Sequence, residues 1–486
     1  MPVALTTLAA SVHLASVETI LAAGVLVVLM LGTFRGDRSL VPLTWVTVGI
    51  MALAGGFLAA MPAAGATGFG GLYIGDSFAS FLKVLILGGA AVSAVLALPY
   101  LKGSATARFE YPVLILLSAL GMCLMVSAND LLTLYVGLEL QSLAAYVLAA
   151  FHRNESRSSE AGLKYFVLGA LASGILLYGI SLVYGFTGTT SFAALHGLVR
   201  GAATTDIGTL IGLVFILSGL AFKIAAVPFH MWTPDVYEGA PTPVAAFFAS
   251  APKAAAMGLL LRVAVGAFGG MTVDWRQIVI FVSIASMLLG AVGAIGQANI
   301  KRLLAYSSIN NVGFALIGLP AGTREGVAGV LFYMTVYLAM TLGSFLCVLQ
   351  MRGPDGAPIE TLESLSGLSR TRPGLAAAWA VFMFSLAGIP PLLGFWPKFA
   401  VFQAAMDAHL YVLAVVGVVA SVIGAYYYLR VIKSVYFDEA AAAFAPADSR
   451  MNTALLTIAA LFCSPLGMFA ITPLVAAATR AAASLL

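Results

Sequence analysis

Apolar stretches long enough to cross a bilayer follow one another along almost the whole chain, and nothing else in the sequence restricts its fold as strongly. A helix needs ~20 such residues to span the hydrocarbon core. On that rule fourteen spans can be read, at 14–33, 41–60, 78–100, 110–127, 130–150, 162–185, 208–237, 242–268, 276–297, 302–319, 326–350, 374–406, 409–437 and 452–477. Run length selects helices over strands, because a spanning strand needs only ~9–11 residues of alternating polarity. Only 9% of the 486 residues are charged, whereas a soluble domain carries roughly a quarter. The outside of this chain must therefore meet lipid. The runs are spread evenly, so residues 1–486 read as a single integral membrane domain of all-α, polytopic class.

The loops carry an orientation. Fourteen lysines and arginines, among them Arg35, Lys102, Arg153, Lys301, Arg372 and Arg450, fall in the loops of one side, against Arg200, Arg276, Arg324 and Arg480 on the other. Such an excess marks the inner face, so both termini are expected outside. No basic stretch precedes span one, which reads as a retained helix and not as a cleaved signal. The alanine-rich composition favours a bacterial plasma (inner) membrane. No basic cluster stands outside the loops, which argues against nucleic acid as a partner. Cys123, Cys347 and Cys463 lie singly in apolar segments, without metal-ligand or iron–sulfur spacing.

Six basic residues remain, and all lie inside spans: Lys83, Lys164, Lys223, Lys253, Arg262 and Lys398. Glu139, in YVGLELQSLAAY, is the acid expected deep in a span. Such groups cost about 3 kcal/mol at the bilayer centre even on the lenient insertion scale, so each asks for a reason. Lys83, near one end of span three, is expected to snorkel to the surface. Arg262 reads as a structural partner or a second snorkelling side chain, and Lys164 stands open between snorkelling and function.

Spans seven and twelve are both too long and both interrupted. In FKIAAVPFHMW, Lys223 precedes Pro228; in SLAGIPPLLGFWPKF, Pro390 and Pro391 precede Lys398. Pro252 stands directly before Lys253 in span eight. Proline removes a backbone donor and clashes with the preceding turn, and broken backbone at membrane depth is tolerated only in a protein interior or beside a wet cavity. The two breaks lie an odd number of spans apart, so they run in opposite directions. That predicts two inverted five-helix repeats, helices 4–8 over 110–268 and helices 9–13 over 276–437. Helices 1–3 within 1–100 and a last helix over 452–477 flank them.

Lys223, Lys253 and Lys398 are then expected as a row of buried ammonium groups near mid-depth. A lysine held out of water can load and release a proton near neutral pH, which an arginine cannot do. A carboxylate such as Glu139 would hold the proton on a nearby Lys223, and separation of the pair would release it. His230, beside the break, is open between relay and cap. Asp235 and Glu238 would attract cations or only shape the turn after span seven, and Tyr426, Tyr427 and Tyr428 read as interfacial aromatics. A plain packing role competes throughout: a lysine can simply satisfy carbonyls freed by a neighbouring proline.

KIAAVPFHMWTPDVYEGAPTPVAAFFASAPKAAA (223–256) closely resembles the subunit N family of the proton-pumping NADH:quinone oxidoreductase, respiratory complex I. NDLLTLYVGLELQSLAAY (129–146), GLKYFVLGALASGILLYG (162–179), ANIKRLLAYSSINNVGF (298–314) and LAGIPPLLGFWPKF (386–399) extend the resemblance along nearly the whole chain. The resemblance implies a fourteen-helix antiporter-like subunit in which Glu139, Lys164, Lys223, Lys253 and Lys398 take part in proton transfer. It implies no cofactor in this chain and no direct NADH binding, with FMN, iron–sulfur clusters and quinone in partner subunits of a membrane-bound hetero-oligomer. The sequence stops after span fourteen without a long lateral helix, which suits subunit N. The alternative is a subunit of a cation/proton antiporter complex, whose members share broken helices and buried lysines.

Overall fold

The computed structural model describes residues 2–61, 64–102, 106–201, 206–446 and 449–486. Helices cover every predicted span, and among the described residues twelve are long and apolar enough to cross a membrane. Glu110–Val126 and Pro373–Ala387 are shorter apolar helices at the fourth span and the first part of the twelfth. Outside the spans lie a leading helix Pro2–Leu14, a two-stranded antiparallel hairpin (Ala64–Gly68 and Tyr73–Asp76) and a short helix Phe192–Gly201. The last span departs from the sequence expectation of one continuous segment. Arg450–Cys463 ends at Ser464, and the chain resumes through a tight turn into Ile471–Ala483. Pro465 has no N–H to continue the first helix, and Ser464 Oγ instead accepts from Leu466 N at 3.2 Å.

Burial sorts the helices into a core and a coat. The apolar windows of Thr242–Ala267, Ile300–Ala321 and Arg324–Leu349 are 100%, 94% and 83% buried, whereas those of Ser16–Arg35 and Asp37–Ala60 are 39% and 28%. A helix apolar all round belongs in the interior, so spans eight, ten and eleven form the centre and the outer spans turn broad faces to lipid. Lys253 is therefore on the central helix.

Both breaks have the same local build. Ile207–Ile224 stops at Ala225, in the left-handed region with φ 60°, and Pro228 follows three residues later. Pro373–Ala387 stops at Gly388, φ 81°, and Pro391 again follows three residues later. The Val227–Pro228 and Pro390–Pro391 peptide bonds are cis. The chain re-enters helix at Trp232–Gly239 and Phe395–Asp407. Side chains satisfy backbone groups at each gap: Val227 N donates to Ser286 Oγ at 2.9 Å and Gly394 N to Ser385 Oγ at 3.0 Å. Span eight is interrupted too, at Ser250 between Thr242–Ala249 and Ala251–Leu261. Pro252 sits in the first turn of the second piece, where its missing N–H costs no helical bond.

Helix pairs four–five and nine–ten cross closely through glycine. A Cβ at Gly121 would stand 2.4 Å from Gln141 N and one at Gly137 2.8 Å from Met125 N; at Gly290 and Gly313 the neighbours are Asn310 N at 2.5 Å and Met287 N at 2.7 Å. The obstacles are backbone atoms, which cannot swing aside. Gly137→Leu should therefore separate the helix pair that carries Glu139, at a cost of about 1–3 kcal/mol. The check is the thermal unfolding midpoint in detergent micelles, which should fall, whereas Gly174→Ala, with nothing within 4 Å, should leave it unchanged.

Candidate functional site

Lys223 occupies the last turn of Ile207–Ile224, where helix carbonyls lack intrahelical partners and a cation is favoured. It is buried, and its Nζ donates to Ser142 Oγ at 2.6 Å and to Tyr146 OH at 3.4 Å, with the Tyr146 ring centroid 5.5 Å away. Glu139, Ser142 and Tyr146 share one face of Leu131–Ala149 by their i, i+3, i+7 spacing. The expected Glu139–Lys223 ion pair is not formed. Glu139 is half-buried and takes its hydrogen bond from Ser173 Oγ, while Lys223 has turned to Ser142, one turn further along the same helix. The pair is open, with a hydroxyl serving each partner.

Lys253 is 1% exposed on the central helix. Its Nζ donates to Ser308 Oγ, which also accepts from Tyr337 OH at 2.6 Å, and the Tyr237 ring lies 5.6 Å away. Ser308 opens a polar stripe along Ile300–Leu316. Tyr428 OH bonds Ser307 Oγ at 2.5 Å and accepts from Asn311 Nδ2 at 3.0 Å, and Tyr333 OH donates to Asn311 Oδ1 at 2.8 Å. Sequence reasoning missed this network. The signal was SSINN inside an apolar run together with tyrosines spaced four apart at 333 and 337. Tyr427 and Tyr428 are accordingly buried and hydrogen-bonded, not interfacial, because their helix faces the core there; Tyr426 alone of the three points outward.

The same helix meets Lys398 further along. Phe314, two turns beyond Ser307, lies 4.3 Å from the Lys398 ammonium by its ring centroid. Lys398 Nζ donates to the carbonyls of Leu386 at 3.1 Å and Ala387 at 3.0 Å, the end of the helix broken at Gly388. Lys398 thus caps the freed carbonyls. Lys223, Lys253 and Lys398 are all buried, as expected.

Lys164 stands apart from the row. Its side chain is 41% exposed and pairs with Glu160 at 2.7 Å and Asp235 at 2.8 Å. Asp235 also holds Arg302 at 2.7 Å, and Glu238 holds Arg302 and Arg157, both at 3.0 Å. The group lines a cavity of about 210 Å³ at the surface, so Asp235 and Glu238 are matched by basic partners and are not a bare acidic lure. His230 lies half-buried in the break, and among the described residues its ring makes no hydrogen bond or ion pair to Glu139 or the lysines.

Lys83 does not snorkel. It is 3% exposed and pairs at 2.7 Å with Glu18, an acid that the sequence had not marked as buried. Both stand near the ends of their helices, where the chain alone suggests water, but the hairpin before Ser77–Leu101 folds over them and brings in Tyr73. Arg262 is a structural partner, held by both oxygens of Asp76 at 2.9 Å. Cys123, Cys347 and Cys463 are free and buried, and among the described residues no group of three or more His, Cys, Asp or Glu side chains is placed to hold a metal.

Residues 128–424 match the family described as NADH:quinone oxidoreductase/Mrp antiporter, TM. The chain is 62% identical over 477 residues to NADH-quinone oxidoreductase subunit N of Rhizorhabdus wittichii, covering 98% of each. Among solved structures, a chain of respiratory complex I from Thermus thermophilus with bound aureothin superposes with a TM-score of 0.81 at 34% identity, covering 94% of this chain and 98% of that one. A chain of the Mrp complex from Dietzia sp. gives 0.82 at 25% identity, covering 97% of both.

The Lys223 contacts are testable without any activity. Ser142→Ala combined with Tyr146→Phe removes both side-chain acceptors from a buried ammonium, and a polar group so stranded costs about 1–3 kcal/mol. The unfolding midpoint in micelles should drop for the double variant and move much less for Tyr146→Phe, whose bond is the longer one.

Proposed function

The chain belongs to the NADH-quinone oxidoreductase subunit N family, and on that premise we propose that it is a membrane-arm subunit of a bacterial proton-pumping enzyme, moving protons through Lys223, Lys253 and Lys398 while quinone is reduced in partner subunits. The observation that carries this reading is the burial of Lys223, Lys253 and Lys398 inside the apolar spans, with Ser308, Tyr337 and the Ser307–Asn311–Tyr428 group lining the same helix beside Lys253. Every buried cation in the row is a lysine, the basic side chain that can give up its proton when desolvated. Glu139, half-buried on the flank, acts as the switch: turned from Ser173 toward Lys223 it holds a proton there, and turned back it frees that proton toward Lys253. Lys164, in its surface ion-pair cluster, feeds the row from solvent, and His230 stands as a reserve group at the break.

The fourteen-helix, inverted-repeat plan belongs to the same proposal. It is supported by the matched breaks at Ala225 and Gly388 and by the glycine crossings repeated in helix pairs four–five and nine–ten. Flavin, iron–sulfur clusters and quinone are assigned to partner subunits of the hetero-oligomer, with no NADH site in this chain. The loop charges support a plasma-membrane orientation with both termini outside. The fold is shared with the Dietzia Mrp complex, so a cation/proton antiporter role makes the opposing expectation that activity requires sodium.

The test is Lys223→Ala in membrane vesicles, with NADH oxidation by an artificial acceptor as the assembly control. The control should hold while quinone reduction and proton translocation fall together by about tenfold or more, equivalent to about 1.4 kcal/mol on the rate-limiting barrier. Undiminished pumping would remove Lys223 from the path, and loss of the control would make it a structural residue.

A further inference from the structure

Glu18, Tyr73 and Lys83 are 4%, 3% and 3% exposed and lie outside the row. Lys83 Nζ donates to Tyr73 OH at 2.7 Å, and Tyr73 OH donates to Glu18 Oε2 at 2.9 Å. Lys83 also contacts the other Glu18 oxygen at 2.7 Å. Taking such charges out of water costs more than their attraction readily returns, so the cluster is weak evidence of stabilisation by itself. Its neighbour makes the contrast. Arg262 forks onto Asp76, which is fixed further by Ala79 N at 2.7 Å; a guanidinium stays charged, and that pair is a fastener. Glu18, Tyr73 and Lys83 can each gain or lose a proton, and their hydrogen bonds all point one way.

Placement sets them beside the central helix. Leu82, beside Lys83, packs so tightly on Gly258 that a Cβ there would stand 2.2 Å from Leu82 Cδ1. Gly258 is five residues beyond Lys253 on the same helix, about 7.5 Å of rise. Arg262 lies further along, toward the end of Thr242–Ala267, whereas Asp235 and the Lys164 cluster lie before its beginning. The two charged groups therefore mark opposite ends of the central helix.

We propose that Glu18, Tyr73 and Lys83 form a proton-exchanging site at the end of the path opposite Lys164. A proton reaching Lys83 from the protein interior displaces one from Lys83 to Tyr73 as Tyr73 passes its own to Glu18, which releases it at that face; one proton enters, one leaves, and each residue regains its charge. This rests on the proton-translocating reading above.

The experiment uses the whole enzyme in membrane vesicles, comparing Lys83→Arg, Tyr73→Phe and Lys223→Ala. Lys83→Arg keeps a cation beside Glu18, and Tyr73→Phe keeps the ion pair while breaking the series. Both should retain NADH oxidation by an artificial acceptor and lose protons translocated per NADH oxidised through quinone. Wild-type stoichiometry in both overturns the proposal. A loss of pumping that only follows a loss of assembled enzyme also overturns it, since the cluster is then a second fastener. If Lys223→Ala pumps normally while Lys83→Arg does not, the Lys223 path fails and this site stands.

Discussion

An ammonium group in an interior without bulk water must find an oxygen, and the arrangement of this protein follows from where those oxygens come from. Lys223 uses the Ser142 hydroxyl, Lys253 the Ser308 hydroxyl, Lys398 two carbonyls released by a helix break, and Lys83 a carboxylate. The breaks are thus more than interruptions. Ending a helix in mid-membrane exposes carbonyl oxygens that a continuous helix keeps for itself, and Lys398 sits on them.

The acceptors differ in how firmly they hold the charge. A hydroxyl can rotate and serve as donor or acceptor in turn, so Ser308, shared by Lys253 and Tyr337, can change partners without backbone movement. Arg262 between the oxygens of Asp76 has no such freedom. The molecule therefore places rotatable hydroxyl contacts along the central helices, and the Arg262–Asp76 fork stays fixed. Close crossings such as Gly290 on Asn310 hold the polar stripe in position against its neighbours.

Much of this was legible in the sequence for a physical reason: charge and proline are so costly in an apolar span that their positions stand out. Lys223, Lys253, Lys398 and both breaks were found that way. The partners were not. On a helix buried nearly all round, such as Ile300–Ala321, apolar periodicity carries no facing information, so Ser308 looked like neutral filler in span ten, and Tyr428, on a helix with a broad exposed face, like an interfacial aromatic. Lys83 was misjudged because it lies near a helix end, where snorkelling is the ordinary outcome, and the 64–76 hairpin brings Tyr73 onto both it and Glu18. The expected Glu139–Lys223 pair is replaced by hydroxyl contacts, Ser142 to Lys223 and Ser173 to Glu139.

The central claim is that the buried lysines move protons instead of merely filling polar gaps. Lys253→Met tests it most directly, because methionine matches much of the volume and Ser308 keeps its bond from Tyr337 OH. Proton translocation driven by NADH should be lost in vesicles whose content of assembled enzyme is unchanged. Wild-type translocation by that variant would contradict the account.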